Sequence, residues 1–179
     1  MNTYSELIDK LGNKYDFLKN YNYLQDLPYG WVKCFGEQFC GDLEVAIDVD
    51  GIKDYQVLQA KEKFGELRWY DNGGETVQKV VDDYTHLSKH VCIVCGQMYV
   101  PIIDDGWVSP SCQDCYREVR GLSSTEKIDW DRITVKETEE EIRSPKYKIS
   151  RFSQHGSTII NRDIQYIIDR IDDKYKKGS

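Results

Sequence analysis

Two pairs of cysteines constrain this chain more than any other feature of its sequence. Cys92 and Cys95 form one Cys-x-x-Cys pair and Cys112 and Cys115 form another, with sixteen residues between the pairs. Each such turn presents two sulfurs about one tetrahedral edge apart, and a structural Zn²⁺ takes four thiolates at roughly 2.3 Å. The spacing therefore predicts a structural zinc ion held by all four cysteines.

The residues around the two pairs predict a small module of turn, hairpin and helix. Gly96 directly follows the second cysteine, at a position where a positive φ favours glycine. Branched and aromatic residues over 98–103 predict a strand, and Asp105-Gly106 predicts the turn of a hairpin. The second pair leads into a short helix over 116–121 that ends at a glycine. This order is typical of a treble-clef or zinc-ribbon-like module.

A site closed by four thiolates has no coordination position for water or substrate, so the predicted zinc stabilises the fold. A zinc deaminase needs His-x-Glu before Pro-Cys-x-x-Cys, and neither His86 nor His90 is followed by x-Glu. A treble-clef nuclease adds a histidine base, but His155, the third histidine, also lies outside the module. We therefore expect a binding protein more than an enzyme, with a metal-dependent nuclease as an alternative.

Charge is distributed unevenly along the chain. The net charge is −7, yet residues 142–179 carry nine Lys or Arg against four Asp or Glu, so an acidic body precedes a basic C-terminal region. Affinity for nucleic acid comes mainly from neutralising phosphates, so the acidic body disfavours a general nucleic-acid coat. The basic region keeps a nucleic-acid-binding regulator open as a further alternative.

The sequence contains no segment that predicts secretion or membrane insertion. Its longest apolar run is far too short to span a bilayer, and the N-terminal residues have neither the basic nor the apolar part of a signal peptide. Six cysteines suit a reducing compartment if four hold zinc, which leaves Cys34 and Cys40 as buried thiols. We therefore expect a cytosolic protein.

Hydrophobic periodicity predicts an α+β fold, with a small antiparallel sheet flanked by helices and the zinc module inserted. Apolar residues at helical spacing predict three helices in the body, over 3–20, 31–50 and 75–91. Alternation predicts two strands, over 55–61 and 67–70, joined by a turn. We expect residues 1–91 to form the body and 92–121 the zinc module.

The remaining residues, 122–179, are expected to pack on the body through strands and an amphipathic helix. A strand is predicted over 132–136, and the acidic run 137–141 is predicted to be a solvated loop. A second strand is predicted over 147–152, and a helix with an isoleucine stripe over 158–177.

The segment 61–70 resembles a recognition surface more than any other part of the chain, with three cations, two carboxylates and three aromatic residues around one glycine. Strand alternation would place its cations on one face, where Arg offers a planar fork and Lys a point charge to a phosphate or carboxylate. An ordinary hairpin with solvated ends is the alternative. The candidate ligand-binding or partner-binding residues are Lys61, Lys63, Phe64, Arg68 and Tyr70.

The same segment carries a family resemblance. The sequence KEKFG-x-LR-aromatic-Tyr over 61–70, a glycine-rich break, a helix and two cysteine turns resemble a family of small bacterial and phage proteins. That family carries a KEKFGxLRFY-type motif before a zinc-binding pair of cysteine turns. The resemblance covers about residues 30–116, with Trp69 where Phe is usual. It implies a bacterial or phage origin and a purpose for the hairpin beyond packing, but no particular reaction.

Together these features predict a non-catalytic, zinc-stabilised binding protein of phage or mobile-element type, in the host cytosol. Through the 61–70 hairpin it is expected to capture a host protein or a small anionic ligand such as a nucleotide. Small phage proteins of this kind often counter host defence, which makes that role an expectation by association.

Overall fold

A computed structural model of the chain describes residues 3–137, which form an α+β fold with two small antiparallel sheets, as the sequence predicts. None of the helices in that part of the chain is both long and apolar enough to cross a bilayer. The helices are α1 (Tyr4–Lys14), α2 (Tyr29–Trp31), α3 (Glu37–Asp50), α4 (Glu75–Ser88), α5 (Gln113–Arg120) and α6 (Trp130–Ile133). The strands are β1 (Val57–Lys63), β2 (Glu66–Asp71), β3 (Ile102–Asp104) and β4 (Val108–Pro110).

The core forms around one long helical segment. A π-helical stretch, Val32–Gly36, joins α2 to α3, so the helix predicted over 31–50 is confirmed and begins two residues earlier. It ends at Gly51, whose φ of 67° is the left-handed conformation that glycine adopts most cheaply. Its inward side chains meet α4 and the β1–β2 hairpin, and the buried ones are Trp31, Val32, Phe35, Phe39, Cys40, Leu43 and Ala46.

Helix α1 is shorter than its apolar periodicity predicts. Thr3 and Glu6 form a capping box at its start, but the helix ends at Lys14 instead of near residue 20. Tyr15 is extended, and a 3₁₀ turn over Asp16–Leu18 follows it. Leu18 is almost fully buried by this turn, so an apolar residue at helical spacing reaches the core without being in the helix.

The β1–β2 hairpin confirms the two predicted strands, with longer strands and a tighter turn. Lys61 pairs with Arg68 and Lys63 with Glu66, which leaves only two residues in the turn. Both turn residues have positive φ, 53° at Phe64 and 78° at Gly65, as a type I′ turn requires. Because this turn matches the strand twist, β1 continues through Lys63, which the sequence assigns to the turn.

The strand predicted over 132–136 is wrong. Residues Trp130–Ile133 form α6, whose N-cap Asp129 accepts a hydrogen bond from the Arg132 N–H at 3.2 Å. Asp is among the residues that favour the N-cap position, and here the cap prevails over strand propensity. Only Thr134 pairs with β3, through an isolated bridge to Ile103.

Glu137 corrects the prediction of a solvated acidic loop. Its side chain is only 9% exposed and lies 2.9 Å from His90 Nε2 and 3.1 Å from Lys89 Nζ. Burial raises the pKa of Glu137, but hydrogen bonds and charge from His90 and Lys89 outweigh it and lower that pKa to about 2. The rest of the acidic run, the strand predicted over 147–152 and the helix predicted over 158–177 lie outside the described residues.

The burial of Glu137 beside Lys89 and His90 predicts a measurable effect of Glu137→Gln. The folded pKa lies below the ordinary 4.5, so the charged carboxylate stabilises the fold above about pH 4.5, and this stabilisation is lost as pH falls toward 2. At pH 7 the variant is expected to lower the free energy of unfolding by roughly 2–3 kcal/mol.

Urea unfolding of both proteins at stepped pH tests this, with Glu118→Gln on exposed α5 as the matched control. Acid also affects the stability of the rest of the protein, but the comparison at each pH removes effects common to both proteins. The difference between wild type and Glu137→Gln should be constant from pH 7 to about 5 and shrink below it. A difference that does not shrink in acid would contradict the ion pairs.

Candidate metal centre

The structure brings together the four cysteines that the sequence predicts as ligands. All four sulfurs lie within 4.8 Å of one another, and Cys112 Sγ is 3.9 Å from Cys92 Sγ and 3.8 Å from Cys95 Sγ. A tetrahedral ion with bonds of about 2.3 Å to sulfur requires sulfur separations of about 3.8 Å. A disulfide would need about 2.05 Å, and the four cysteines of the cluster are free thiols. The cluster therefore fits one tetrahedral metal ion.

The first pair lies in a tight turn that is closed by backbone N–H groups, one bound to a carbonyl oxygen and one to a sulfur. Cys92 O accepts from the Gly96 N–H at 3.0 Å, and Cys95 Sγ accepts from the Gln97 N–H at 3.4 Å. Gly96 has a φ of 80°, which confirms the conformation expected from its place after Cys95. We call residues 92–96 the knuckle.

The second pair lies at the start of α5. Cys112 is the N-cap, and its sulfur accepts the Cys115 N–H at 3.4 Å. The helix begins at Gln113, three residues earlier than predicted, and ends at Gly121 as predicted. A helix N-terminus stabilises negative charge, so this placement suits a thiolate ligand.

The thiols of the cluster respond differently to their surroundings. Burial raises the pKa of Cys92, but N–H groups of Cys95, Cys112 and Val94 outweigh it and lower that pKa to about 7. Burial and the neighbouring cysteines raise the pKa of Cys115. Four adjacent thiolates repel one another unless a cation joins them, so metal binding must release protons from this site.

The knuckle packs directly against the first turn of the long helix. The Gly30 N–H donates to Ile93 O at 2.9 Å, and the buried Trp31 donates through Nε1 to Val91 O at 3.0 Å. A Cβ on Gly30 would lie only 2.0 Å from Cys92 O. The site and the body core therefore share one interface. The sequence does not predict this close approach at Gly30. The one sign of it in the sequence is the glycine itself, directly before Trp31.

The hairpin residues predicted to bind a ligand lie largely on one face. Lys61 is directly opposite Arg68, and Lys63 and Tyr70 follow at two-residue intervals, so these four side chains share the outer face of the β1–β2 hairpin. Phe64 is in the turn and is 68% exposed. The inner face carries Ala60, Leu67 and Trp69, which are all buried.

The outer face is only partly neutralised. Arg68 pairs with Glu66 at 3.1 Å, while Lys61 and Lys63 form no ion pair within residues 3–137. Lys63 Nζ lies 5.4 Å from the centre of the Phe64 ring, within the range of a cation–π contact. Two cations are thus available to an anionic group.

The hairpin turn also contacts the cysteine module. Gly65 is buried against β4, and a Cβ added to it would lie 3.3 Å from Pro110 Cδ and 3.5 Å from Val108 Cγ1. Pro110 in turn accepts the Ile93 N–H at 3.1 Å. The candidate metal centre therefore supports the turn that presents Phe64.

The four cysteines form the one cluster of three or more potential metal ligands between residues 3 and 137. His90, which the sequence places outside the cysteine module, is buried beside Glu137 and Val100. Cys40 is buried as predicted, but Cys34 is only half-buried. Comparisons of the chain with family models, curated proteins and solved structures gave no match.

Cys95→Ser is expected to abolish stoichiometric metal binding, because it removes one of four thiolates from a closed site. It should also lower the unfolding midpoint of the whole protein, since the knuckle packs on the core. Metal content by mass spectrometry and thermal unfolding measure both effects. Cys34→Ser is the matched control and should keep full metal content; a Cys95→Ser protein with equal metal content would contradict the ligand assignment.

Gly30→Ala is expected to destabilise the protein by about 3 kcal/mol or more, because the added methyl group meets backbone atoms of the knuckle that cannot move independently. Gly41→Ala in α3 is the control, since its Cβ would meet only Tyr15 Oη at 3.5 Å. That change should be neutral or stabilising by about 0.5–1 kcal/mol. Urea unfolding compares the two, and equal stabilities would contradict the close approach.

Proposed function

We propose that this chain is a non-catalytic binding protein in which zinc, held in a treble-clef-like module, supports a recognition surface. That surface is the outer face and turn of the β1–β2 hairpin, which we call the hairpin face: Lys61, Lys63, Phe64, Arg68 and Tyr70. The observation that carries the proposal is the contact of Gly65 with Val108 and Pro110, which links the cysteine cluster to this face.

Zinc is the ion that best suits the cluster. Four thiolates in a tetrahedral arrangement favour zinc or iron over the hard cations, which prefer oxygen ligands. The order of knuckle, β3–β4 hairpin and cysteine-capped α5 supports the treble-clef interpretation. With four sulfurs bound, zinc keeps no position for a reacting group, and its contribution is to folding free energy.

The ligand is proposed to be anionic, either a small molecule such as a nucleotide or an acidic site on a host protein. Lys61 and Lys63 have no carboxylate partner in the described part of the chain, so a bound anion would not have to displace one. The family resemblance of the 61–70 segment supports a phage or mobile-element origin. From it we infer the host cytosol as compartment and interference with host defence as the purpose.

Charge reversal of the hairpin face tests the proposal. The full chain is immobilised, exposed to lysate of a bacterial host, and the retained molecules are identified by mass spectrometry. Lys61→Glu/Lys63→Glu is expected to reduce the retained species about tenfold or more, because attraction becomes repulsion. Melting temperature and metal content should not change, since neither lysine holds an ion pair in residues 3–137.

Lys53→Glu/Lys127→Glu is the matched control, because both of these lysines are exposed and the net charge changes equally. The control should retain the same species as wild type. A species held equally by all three proteins would contradict the hairpin face, and retained nucleic acid would favour a nucleic-acid-binding regulator instead.

A further inference from the structure

Trp107 is a large aromatic residue that the proposed hairpin face does not include. It lies at the tip of the β3–β4 hairpin, beside Gly106, and 62% of it is exposed to solvent. Isolated exposed apolar residues are common, but exposed tryptophan on a small hairpin offers a large contact area to a partner. Its surroundings decide whether it is positioned for such a role.

The tip that carries Trp107 is held firmly. Asp105 accepts hydrogen bonds from Tyr116 Oη at 2.9 Å and from Arg120 Nη2 at 2.6 Å. The Tyr116 ring packs against Trp130 at 5.4 Å between centroids, so α5 and α6 both brace the turn. A side chain on a rigid turn loses little freedom on binding, which favours its use as an anchor.

Phe64 occupies an unfavourable backbone position without gaining burial. Its φ is 53°, and the first turn position of a type I′ hairpin favours Asn, Asp or Gly. A bulky side chain there costs conformational energy, and with 68% of the residue exposed the core recovers little of it. Such an exposed, strained aromatic residue is typical of a contact site.

The turn of the β1–β2 hairpin packs against β4, since a Cβ on Gly65 would lie 3.3 Å from Pro110 Cδ and 3.5 Å from Val108 Cγ1. Phe64 directly precedes Gly65, and Trp107 directly precedes Val108, so each exposed aromatic residue adjoins in sequence a residue of this contact. Lys63, which holds no ion pair within residues 3–137, is beside Phe64, with its Nζ 5.4 Å from the ring centre.

Charge around this contact selects the kind of partner. Lys61 and Lys63 attract carboxylates or phosphates, and the exposed Asp104, which pairs with Val108 next to Trp107, repels a continuous phosphate backbone, whereas Arg120 neutralises Asp105. A protein segment avoids this conflict because its charges are spaced, with carboxylates toward the lysines and an apolar side chain toward Trp107. Charge complementarity therefore favours a peptide over single-stranded nucleic acid.

We propose that Phe64 and Trp107, together with Lys61 and Lys63, form a two-tip docking surface for a protein segment that carries carboxylates next to a large apolar side chain. This inference rests on the proposed function and adds to it the second hairpin and the chemistry of the partner. The aromatic residues bind the apolar side chain, and the lysines bind the carboxylates.

Selection of short random peptides on the full, metal-loaded chain tests the surface. The selected peptides should be enriched in Asp or Glu beside Leu, Phe or Trp, and a synthetic selected peptide is then titrated by fluorescence anisotropy. Trp107→Ala and Phe64→Gly should each raise its Kd about tenfold or more. Val119→Ala, an exposed apolar change on α5, is the control and should leave the Kd unchanged.

Phe64→Gly relieves the strain of the positive φ at this position, and Trp107 is largely exposed, so both variants should keep wild-type metal content and melt no lower than wild type. Peptides without acidic enrichment, or an unchanged Kd in both variants, would overturn the docking surface. So would tight binding of an oligothymidine probe that depends on Trp107. A lysate species lost with Lys61→Glu/Lys63→Glu but kept with Trp107→Ala would overturn this inference alone.

Discussion

The rest of the structure depends on the close approach of Gly30 to the backbone of the knuckle. Only glycine permits this contact, because any Cβ there would overlap Cys92 O. The next residue, Trp31, is fully buried and donates to Val91 O. The largest residue of the core thus hydrogen-bonds to the chain directly before the first cysteine. A metal ion bound by the four cysteines would therefore stabilise the body as well as the module, since neither surface can separate without exposing the other.

This coupling gives the β1–β2 hairpin a support that its own strands cannot supply. A two-stranded hairpin is at best marginally stable alone. On its inner face Trp69 packs against Phe39 at 4.9 Å between ring centres, and its β2 edge is joined to α4, where Ser88 Oγ accepts the Leu67 N–H at 2.9 Å. The turn rests on β4. Held on three sides, the hairpin can keep exposed groups in fixed positions.

Local chemistry could be predicted from the sequence and long-range packing could not. The cysteine spacing, the helix ending at Gly51 and the alternating strands depend on neighbouring residues, and each was predicted. The burial of Glu137 could not be, because its partners Lys89 and His90 are distant in sequence. The contact between Gly65 and β4 could not be predicted either, because a hairpin turn favours glycine in the sequence whether or not another strand packs against that turn.

Part of the acidic composition of the chain has a structural role. Several carboxylates in the described part hold backbone N–H groups, hydroxyl groups or cations: Asp42, Asp50, Asp105, Asp129 and Glu137. These carboxylates already have partners within the fold, so their negative charge does not itself indicate an external partner. Lys61 and Lys63 differ because they hold no such ion pair within residues 3–137. Two cations without a carboxylate partner among the described residues, on a hairpin whose turn rests on β4, support the recognition role proposed for this face.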